Sequence, residues 1–384
     1  MVEHVGTPMV QLGDVANFIN GAAFKPEDWG STGSRIIRIQ NLNDPSKPFN
    51  RTERVVDKKL HVQPGDLLVS WSASLGVFVW DQPDVAVLNQ HIFRVVPNDN
   101  PVDKDYLRHM LSDALESMKR HLHGATMMHV NRKEFLSTRI PLPLLDEQRR
   151  IAAILDKADE LRTKRSEALG HLDALTQSIF HSLFGSGVPA HSEHPAVRMG
   201  DVLQSATYGS SEKASLSGDM PILRMGNLTY GGELDLRDLK YVRADQPDKY
   251  LLRRGDVVFN RTNSAELVGK TAMYKGTEPL AYAGYLVRLR SSQELSPEYL
   301  TAFMNLSSTK GLLRNMAKSI VGMANINAKE VQSIRLPLPP LELQQTFASR
   351  VAAVEELKEK HRKHLAELDS LFASLQDRAF KGEL

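Results

Sequence analysis

The sequence predicts an α+β protein in which two mixed α/β domains, in a pseudo-twofold arrangement, are separated by a long antiparallel two-helix coiled coil. Three observations predict it. The chain is internally duplicated, each copy passes through a proline-rich junction, and a heptad-patterned stretch follows each junction, at 145–184 and 341–380 of 384 residues.

The duplication is read from matched blocks. Arg139-Ile-Pro-Leu-Pro143 returns as Arg335-Leu-Pro-Leu-Pro339. From there the copies run without a gap: Asp146 matches Glu342, Gln148 matches Gln344, Leu172-Asp173 matches Leu368-Asp369 and Phe184 matches Phe380, all at one offset of 196 residues. Asn131 with Asn327 and Glu134 with Glu330 share that offset. Further upstream the match is looser but keeps its order. Leu12-Gly13-Asp14-Val15 resembles Met199-Gly200-Asp201-Val202, and 36–42 resembles 222–228. Pro64-Gly65-Asp66-Leu67 resembles Arg254-Gly255-Asp256-Val257, and Tyr106-Leu107 resembles Tyr299-Leu300. Blocks repeated in one order define the architecture before any motif does. The domain limits follow: 1–140, a spacer helix and linker at 141–195, a second domain at 196–336, and a final helix at 337–384. Diverged domains on helices of fixed length suggest two different readings held by one scaffold.

Within each domain, short β-like runs are punctuated by Gly, Pro, Asn and Asp, as in a mixed sheet. They fall at 35–39, 66–69, 77–80 and 92–96, then at 222–225, 256–259 and 283–289. One helix after Pro101 and one after Pro297 close the domains. The Leu-Pro-Leu-Pro junctions cannot be helical, because proline removes a donor and pushes the preceding residue toward extended backbone. Each long helix would span about 60 Å at the α-helical rise. In the first, Ile151, Ile154, Ala158, Leu161, Arg165, Ala168, Leu172, Leu175 and Ile179 recur in three- and four-residue steps. The matching seam is Phe347, Arg350, Val354, Leu357, His361, His364, Leu368, Leu371 and Leu375. Polar seam positions (Arg165, His361, His364) cost stability but fix register. An antiparallel pair is the simplest arrangement, with the domains at opposite ends; two helices each packing on its own domain is the alternative.

Composition excludes little. Hydrophobic residues at 41% and charged residues at 24% suit a soluble globular protein. No apolar run is long enough to span a bilayer, and the N-terminus lacks a signal-peptide pattern. The absence of cysteine excludes disulfides and thiolate metal sites and leads us to expect a cytoplasmic location. A net charge of +2 is well below the basic excess of many stand-alone DNA binders. It fits basic residues gathered on one face, DNA shared with basic partners, or an unrelated function.

These features together resemble the specificity subunit of type I restriction-modification systems. The resemblance is carried by the duplicated domain, the junctions RIPLPLLDEQRRIAAIL and RLPLPPLELQQTFASRV, and the approach segments GATMMHVNRKEF and VGMANINAKEV. It covers essentially the whole chain. It implies that each domain is a target recognition domain reading one half of an interrupted double-stranded DNA sequence. It also implies that the helices set the gap and dock two methyltransferase subunits, and that two restriction subunits join where they exist. The chain itself would be non-catalytic and without cofactor, the methyltransferase using S-adenosylmethionine. One departure is Leu343, where the first copy has Glu147 and the family usually has glutamate. It puts one local junction contact in doubt.

Sequence-specific binding needs cations and amides on phosphates, and amide, guanidinium and hydroxyl groups on base edges. Candidates in the first domain are Lys25, Ser70, Trp71, Ser72, Asn89, Gln90, His91, Met128, His129 and Asn131. In the second they are Tyr208, Ser211, Lys213, Asn260, Arg261, Thr262, Asn263, Lys270, Asn325 and Asn327. They occupy corresponding places with different residues, as two different half-sites require; ordinary polar loops are the bland alternative. The segment from Ser264 to Thr271 resembles a phosphate-binding loop but lacks its first glycine. His361 and His364 share a helix face, where a polar coiled-coil layer is expected before a metal site. Asp14, Asp66, Asp201 and Asp256 read as turn residues. A non-catalytic scaffold that joins protein partners through its coiled coil is the rival function.

Overall fold

A computed structural model of the chain describes residues 7–98, 102–121, 130–243, 247–264, 266–320 and 323–384. It divides into two compact units, Met1–Arg165 with His364–Leu384, and Ser166–Lys363. Each unit therefore takes one globular part and a segment from each of the long helices Leu145–Phe184 and Leu341–Lys381.

In the first unit, an antiparallel sheet runs in the order Ala16–Asn20, Ile92–Pro97, Leu67–Ser70, Gly76–Val79. A second sheet orders Arg51–Thr52, Ser34–Ile37, Ala86–Leu88 and His61–Val62, with a parallel pairing at its centre. Strand Leu67–Ser70 is buried along its whole length because both sheet faces are covered. Leu67 and Val69 meet the closing helix Lys104–His121 (Tyr106, Leu107, Met110) and the long-helix residues Ile151 and Leu155. Leu68 points the other way, into a cluster with Ile37, Trp80 and Leu88. Side-chain alternation thus sorts one strand's residues into two cores.

The second unit repeats the plan. Its main sheet orders Leu203–Tyr208, Leu286–Ser291, Val257–Asn260 and Thr271–Met273. A smaller sheet holds Lys240–Val242, Met220–Leu223 and Ala281–Tyr282, again with one parallel pair. A third joins Thr262–Asn263, Met323–Asn325 and Lys318–Ile320. Two sequence expectations change here. The run at 283–289 is a strand only from Leu286, since Ala283 N–H and Gly284 N–H donate to Leu223 and Ser210 in a turn. The helix after Pro297 is two helices, Pro297–Asn305 and Ser307–Met316, broken where Leu306 is extended and buried. There the Asn305 amide donates to the Thr271 and Thr301 carbonyls.

Each proline-rich junction is a strand. Arg139–Pro141 pairs with Met9–Gln11, and Arg335–Pro337 pairs with Ala196–Arg198. Two buried groups pin it to the closing helix in both repeats. Tyr106 Oη donates to the Pro141 carbonyl at 2.8 Å, and Tyr299 Oη to Pro337 at 2.6 Å. Gln148 accepts from Asp103 N–H and donates to the Pro143 carbonyl. Gln344 accepts from Ser296 N–H and donates to the Glu294 and Pro339 carbonyls. Leu343, the departure from the expected glutamate, packs against the second unit's core.

The heptad seam has the expected length but a different phase. Ile151, Ile154, Ala158, Arg165, Ala168, Leu172 and Ile179 are at least half-buried as expected, but Leu161 and Leu175 are exposed, and the alternate row runs one residue later through Leu155, Arg162, Leu169 and Thr176. The second helix shows the same shift, with Val351, Lys358, Leu365 and Phe372 replacing Arg350, Leu357, His364 and Leu371. The polar layers move accordingly. Arg162 bonds Asp369 at 2.7 Å and Asp159 at 2.9 Å within the first unit. Lys358 bonds Asp173 at 2.7 Å and Glu355 at 3.0 Å within the second. Repeat-matched cations thus reach the repeat-matched aspartates across the helix pair. In the second unit the pairing is antiparallel: Lys358 meets Asp173, while the earlier Phe347 meets the later Phe180 and Phe184.

Candidate nucleic-acid interface

In each unit, three turns and a strand end converge through equivalent backbone hydrogen bonds. Trp71 N–H donates to the His91 carbonyl, and Val130 N–H to the Trp71 carbonyl. In the second unit, Arg261 N–H donates to Tyr285 and Ile326 N–H to Arg261. The same backbone presents different chemistry.

The first unit presents an aromatic wall. The Trp71 ring stacks on Phe93 at 5.5 Å and meets His91 edge-on at 5.0 Å. Its Nε1 donates to Asn20 Oδ1. His91 and Ala73 have φ of 70° and 59°, left-handed values that strain a residue with a Cβ. Arg38, Gln40, Asn89, Gln90 and His91 line a cavity of about 270 Å³, and Asn89 Oδ1 is buried without a hydrogen-bond partner. The second unit presents a held cation. The Arg261 guanidinium lies 5.0 Å from the Tyr208 ring centroid and donates to Asn325 Oδ1 at 3.0 Å. Asn325 Nδ2 in turn donates to Thr262 Oγ1. Tyr208, Tyr285, Ser211 and Lys213 are exposed, and Asn263 is half-buried.

Several of the expected contact residues are buried or bonded within their own turns. Ser70 is fully buried and donates to the Ser74 carbonyl at 2.7 Å. Asn260 is fully buried, its Oδ1 accepting from Thr262 N–H. Ser72 and Thr262 are buried too. These four shape the turns that carry Trp71 and Arg261, because a turn leaving a central strand must satisfy its own backbone. Asn131 and Asn327 cap the short helices Arg132–Leu136 and Ala328–Ser333, accepting from Lys133 N–H and Glu330 N–H. Lys25 is exposed and lies 3.9 Å from Glu27. Met128 and His129 lie outside the described residues. Lys270 is half-buried at the end of a loop that enters strand Thr271–Met273, so the phosphate-loop likeness lacks the helix that would follow it.

Sequence reasoning missed Tyr285, Arg38, Gln40 and the partner role of Asn20. The matched blocks 36–42 and 222–228 set Arg38 opposite Arg224, which is the signal that could have found it. Asp66 and Asp256 are more than turn residues. They accept from Gln63 and Arg253 N–H and pair with Arg94 and Arg290, the latter through two bonds of 2.7 Å. That pairing holds the Arg290 guanidinium above its ordinary pKa. Among the described residues no group of three His, Cys, Asp or Glu side chains is placed to hold a metal, and no helix is long and apolar enough to cross a membrane.

Comparison with known proteins gives the family and the fold. A family model, the type I restriction modification DNA specificity domain, matches residues 5–171 and again 193–369. The EcoKI specificity subunit of Escherichia coli K12 is 26% identical over 283 residues, a match covering 68% of this chain and 61% of that protein. The MjaVIII specificity subunit of Methanocaldococcus jannaschii is 22% identical over 411 residues, covering 98% of this chain and 92% of that one. The solved type I S subunit from M. genitalium shares the fold at a TM-score of 0.56 and 14% identity, covering 99% of this chain and 98% of that one. With two copies of one specificity domain accounting for most of its length, the chain belongs to the type I restriction-modification DNA specificity family.

Proposed function

We propose that this chain is the non-catalytic subunit that selects DNA sequence for a type I restriction-modification complex, each unit reading one half of a bipartite double-stranded target. The observation that carries this is the pair of turns at Trp71 and Arg261. One backbone arrangement offers an aromatic wall in one unit and an oriented guanidinium in the other. Arg261, held by Tyr208 and Asn325, suits the N7 and O6 edge of a guanine. Trp71, His91 and the Asn89–Gln90 turn suit apolar and amide contacts to a different half-site.

The long helices set the gap between half-sites. Their outer faces carry leucines outside the seam: Leu161 and Leu371 in the first unit, Leu175 and Leu357 in the second, each 40–49% exposed. Leucine in matched, solvent-facing places supports docking of two methyltransferase subunits, one on each unit. Those subunits would bring S-adenosylmethionine; two restriction subunits complete the assembly where present. The complex works in the cytoplasm, where its DNA is.

The test is selection from a random DNA pool by the chain with its methyltransferase partner, at stated salt because phosphate contacts dominate affinity. A bipartite motif is expected. Arg261→Ala should relax one position of one half-site by about 1–3 kcal/mol, and Trp71→Ala should alter only the other half. No enrichment at any salt would favour a protein-joining scaffold instead.

A further inference from the structure

The second unit holds a cavity of about 310 Å³ between its helical segments and helix Pro297–Asn305. Its floor is aromatic. Phe180 stacks on Tyr299 at 5.5 Å and meets Phe347 edge-on at 5.7 Å. Two lining residues carry buried polar atoms without a hydrogen-bond partner, Thr176 Oγ1 and Asn305 Oδ1. The Asn305 amide nitrogen is committed to the Thr271 and Thr301 carbonyls, which fixes the oxygen as an unanswered acceptor. Such atoms are costly in a folded protein and call for a donor.

The first unit shows what fits this place. Thr176 corresponds to Phe372, Lys358 to Arg162 and Ala302 to His109 in the repeat. There the Phe372 ring lies under Arg162, 4.6 Å from its guanidinium carbon, and 6.3 Å from the His109 ring. The fold's own filling is therefore an aromatic ring beside a cation. In the second unit both large side chains are replaced by small ones, and the cation remains as Lys358.

We propose that this cavity binds one aromatic ring carrying a polar hydrogen, of the indole or phenol class. The ring would pack on Phe180 and Phe347, and its N–H or O–H would donate to Asn305 Oδ1 or Thr176 Oγ1. Lys358 would take the place that Arg162 holds over Phe372. The chemistry has two possible sources, a free small aromatic or a tryptophan or tyrosine of a docked protein. The proposal is independent of how the chain reads DNA.

The experiment titrates the full-length chain with indole, phenol and toluene by calorimetry and proton NMR. Saturable one-to-one binding of indole and phenol is expected, with toluene about fivefold weaker for want of the hydrogen bond. Thr176→Val should erase part of that preference. Thr176→Phe, which builds the first unit's ring into the second, should abolish binding with the circular dichroism spectrum unchanged. Ala302→Leu fills the cavity from the opposite wall and serves if Thr176→Phe does not fold. Absence of saturation by indole, or binding undiminished in the filling variants, overturns the proposal. Assembly with the methyltransferase partner separates the sources. Assembly weakened by Thr176→Phe and by added indole identifies a partner's side chain; assembly indifferent to both, with indole binding intact in the wild type, identifies a free aromatic. DNA selection by Thr176→Phe alone should match the wild type.

Discussion

Replacing Gln344 by leucine tests the junction most directly. Leucine is similar in size but carries no polar atom. Gln344 is fully buried, accepts from Ser296 N–H at 2.8 Å, and donates to the Glu294 and Pro339 carbonyls at 3.0 and 2.8 Å. The variant leaves the Ser296 donor and the Pro339 acceptor unpaired in buried surroundings, and the Glu294 acceptor unpaired at an exposed residue. The two buried groups carry most of the loss, which should be about 3 kcal/mol. That is a large part of the roughly 5–15 kcal/mol that holds a typical domain. The chain supplies its own local probe. All three tryptophans, Trp29, Trp71 and Trp80, belong to the first unit. In urea unfolding, tryptophan fluorescence follows that unit, while far-ultraviolet circular dichroism follows both. Gln344→Leu should split the dichroism transition, one part moving to lower urea, and leave the fluorescence midpoint in place. Gln148→Leu should move the fluorescence midpoint. A loss below about 1 kcal/mol for Gln344→Leu would refute the assignment of a structural role to these bonds. An equal shift in both probes would refute the local character of the staple.

Three further outcomes are expected. Ala73→Gly should stabilise the first unit by about 1 kcal/mol, because φ at that exposed residue is 59° and glycine adopts it without a Cβ penalty; the fluorescence midpoint in urea reads it. Lys310 is buried, with Nζ on the Gly269 carbonyl at 2.6 Å, and burial, aided by the nearby Lys270 charge, lowers its pKa to about 8 from 10.5. The folded state therefore holds this proton less tightly than the unfolded chain. The second unit's stability should be level below about pH 8, rise with pH between there and the unfolded value, and lose that rise in Lys310→Met, as followed by dichroism. Inserting about four residues, one helical turn, in each long helix should lengthen the gap in the methylated target and leave both half-sites unchanged. Methylome sequencing of cells carrying the variant and its partner decides it.

The repeat, the junctions and the two long helices were legible because they rest on backbone rules and fixed spacing. The seam phase was not. Hydropathy favours Leu161, Leu175, Leu357 and Leu371 over Arg162, Thr176, Lys358 and Phe372, yet the leucines are exposed. What decides the phase is the charge partner: Asp369 and Asp173, matched in the repeat, each receive a cation from the opposite helix. A pattern that scores residues singly cannot see a favourable pair. The candidate loops were legible as places, not as side chains. In Ser70-Trp71-Ser72 and Asn260-Arg261-Thr262 the flanking polar residues are buried to satisfy the turn, while the middle residue stays half-buried with its side chain stacked on a neighbouring ring. Nothing in residue type separates those roles. Likewise Asn131 and Asn327 each give their side-chain oxygen to a helix cap.

Under the proposed function, that division accounts for two readings on one fold. The atoms that both repeats keep are those that close buried backbone groups: the tyrosines on Pro141 and Pro337, the glutamines at the helix starts, and the Asp–Arg pairs at Asp66 and Asp256. Each loss would leave an orphaned acceptor, donor or charge, so drift at these positions is destabilising. The residues at 71 and 261 bond through their backbone and project only their side chains. Tryptophan and arginine can therefore exchange there without breaking a hydrogen bond of the frame. Their supports, however, must change with them. Trp71 needs Phe93 to stack on and Asn20 to receive its N–H, whereas Arg261 needs the Tyr208 ring and the Asn325 oxygen. The unit of divergence is thus a small constellation of outward side chains, and a single swap at 71 or 261 should weaken one reading without creating the other.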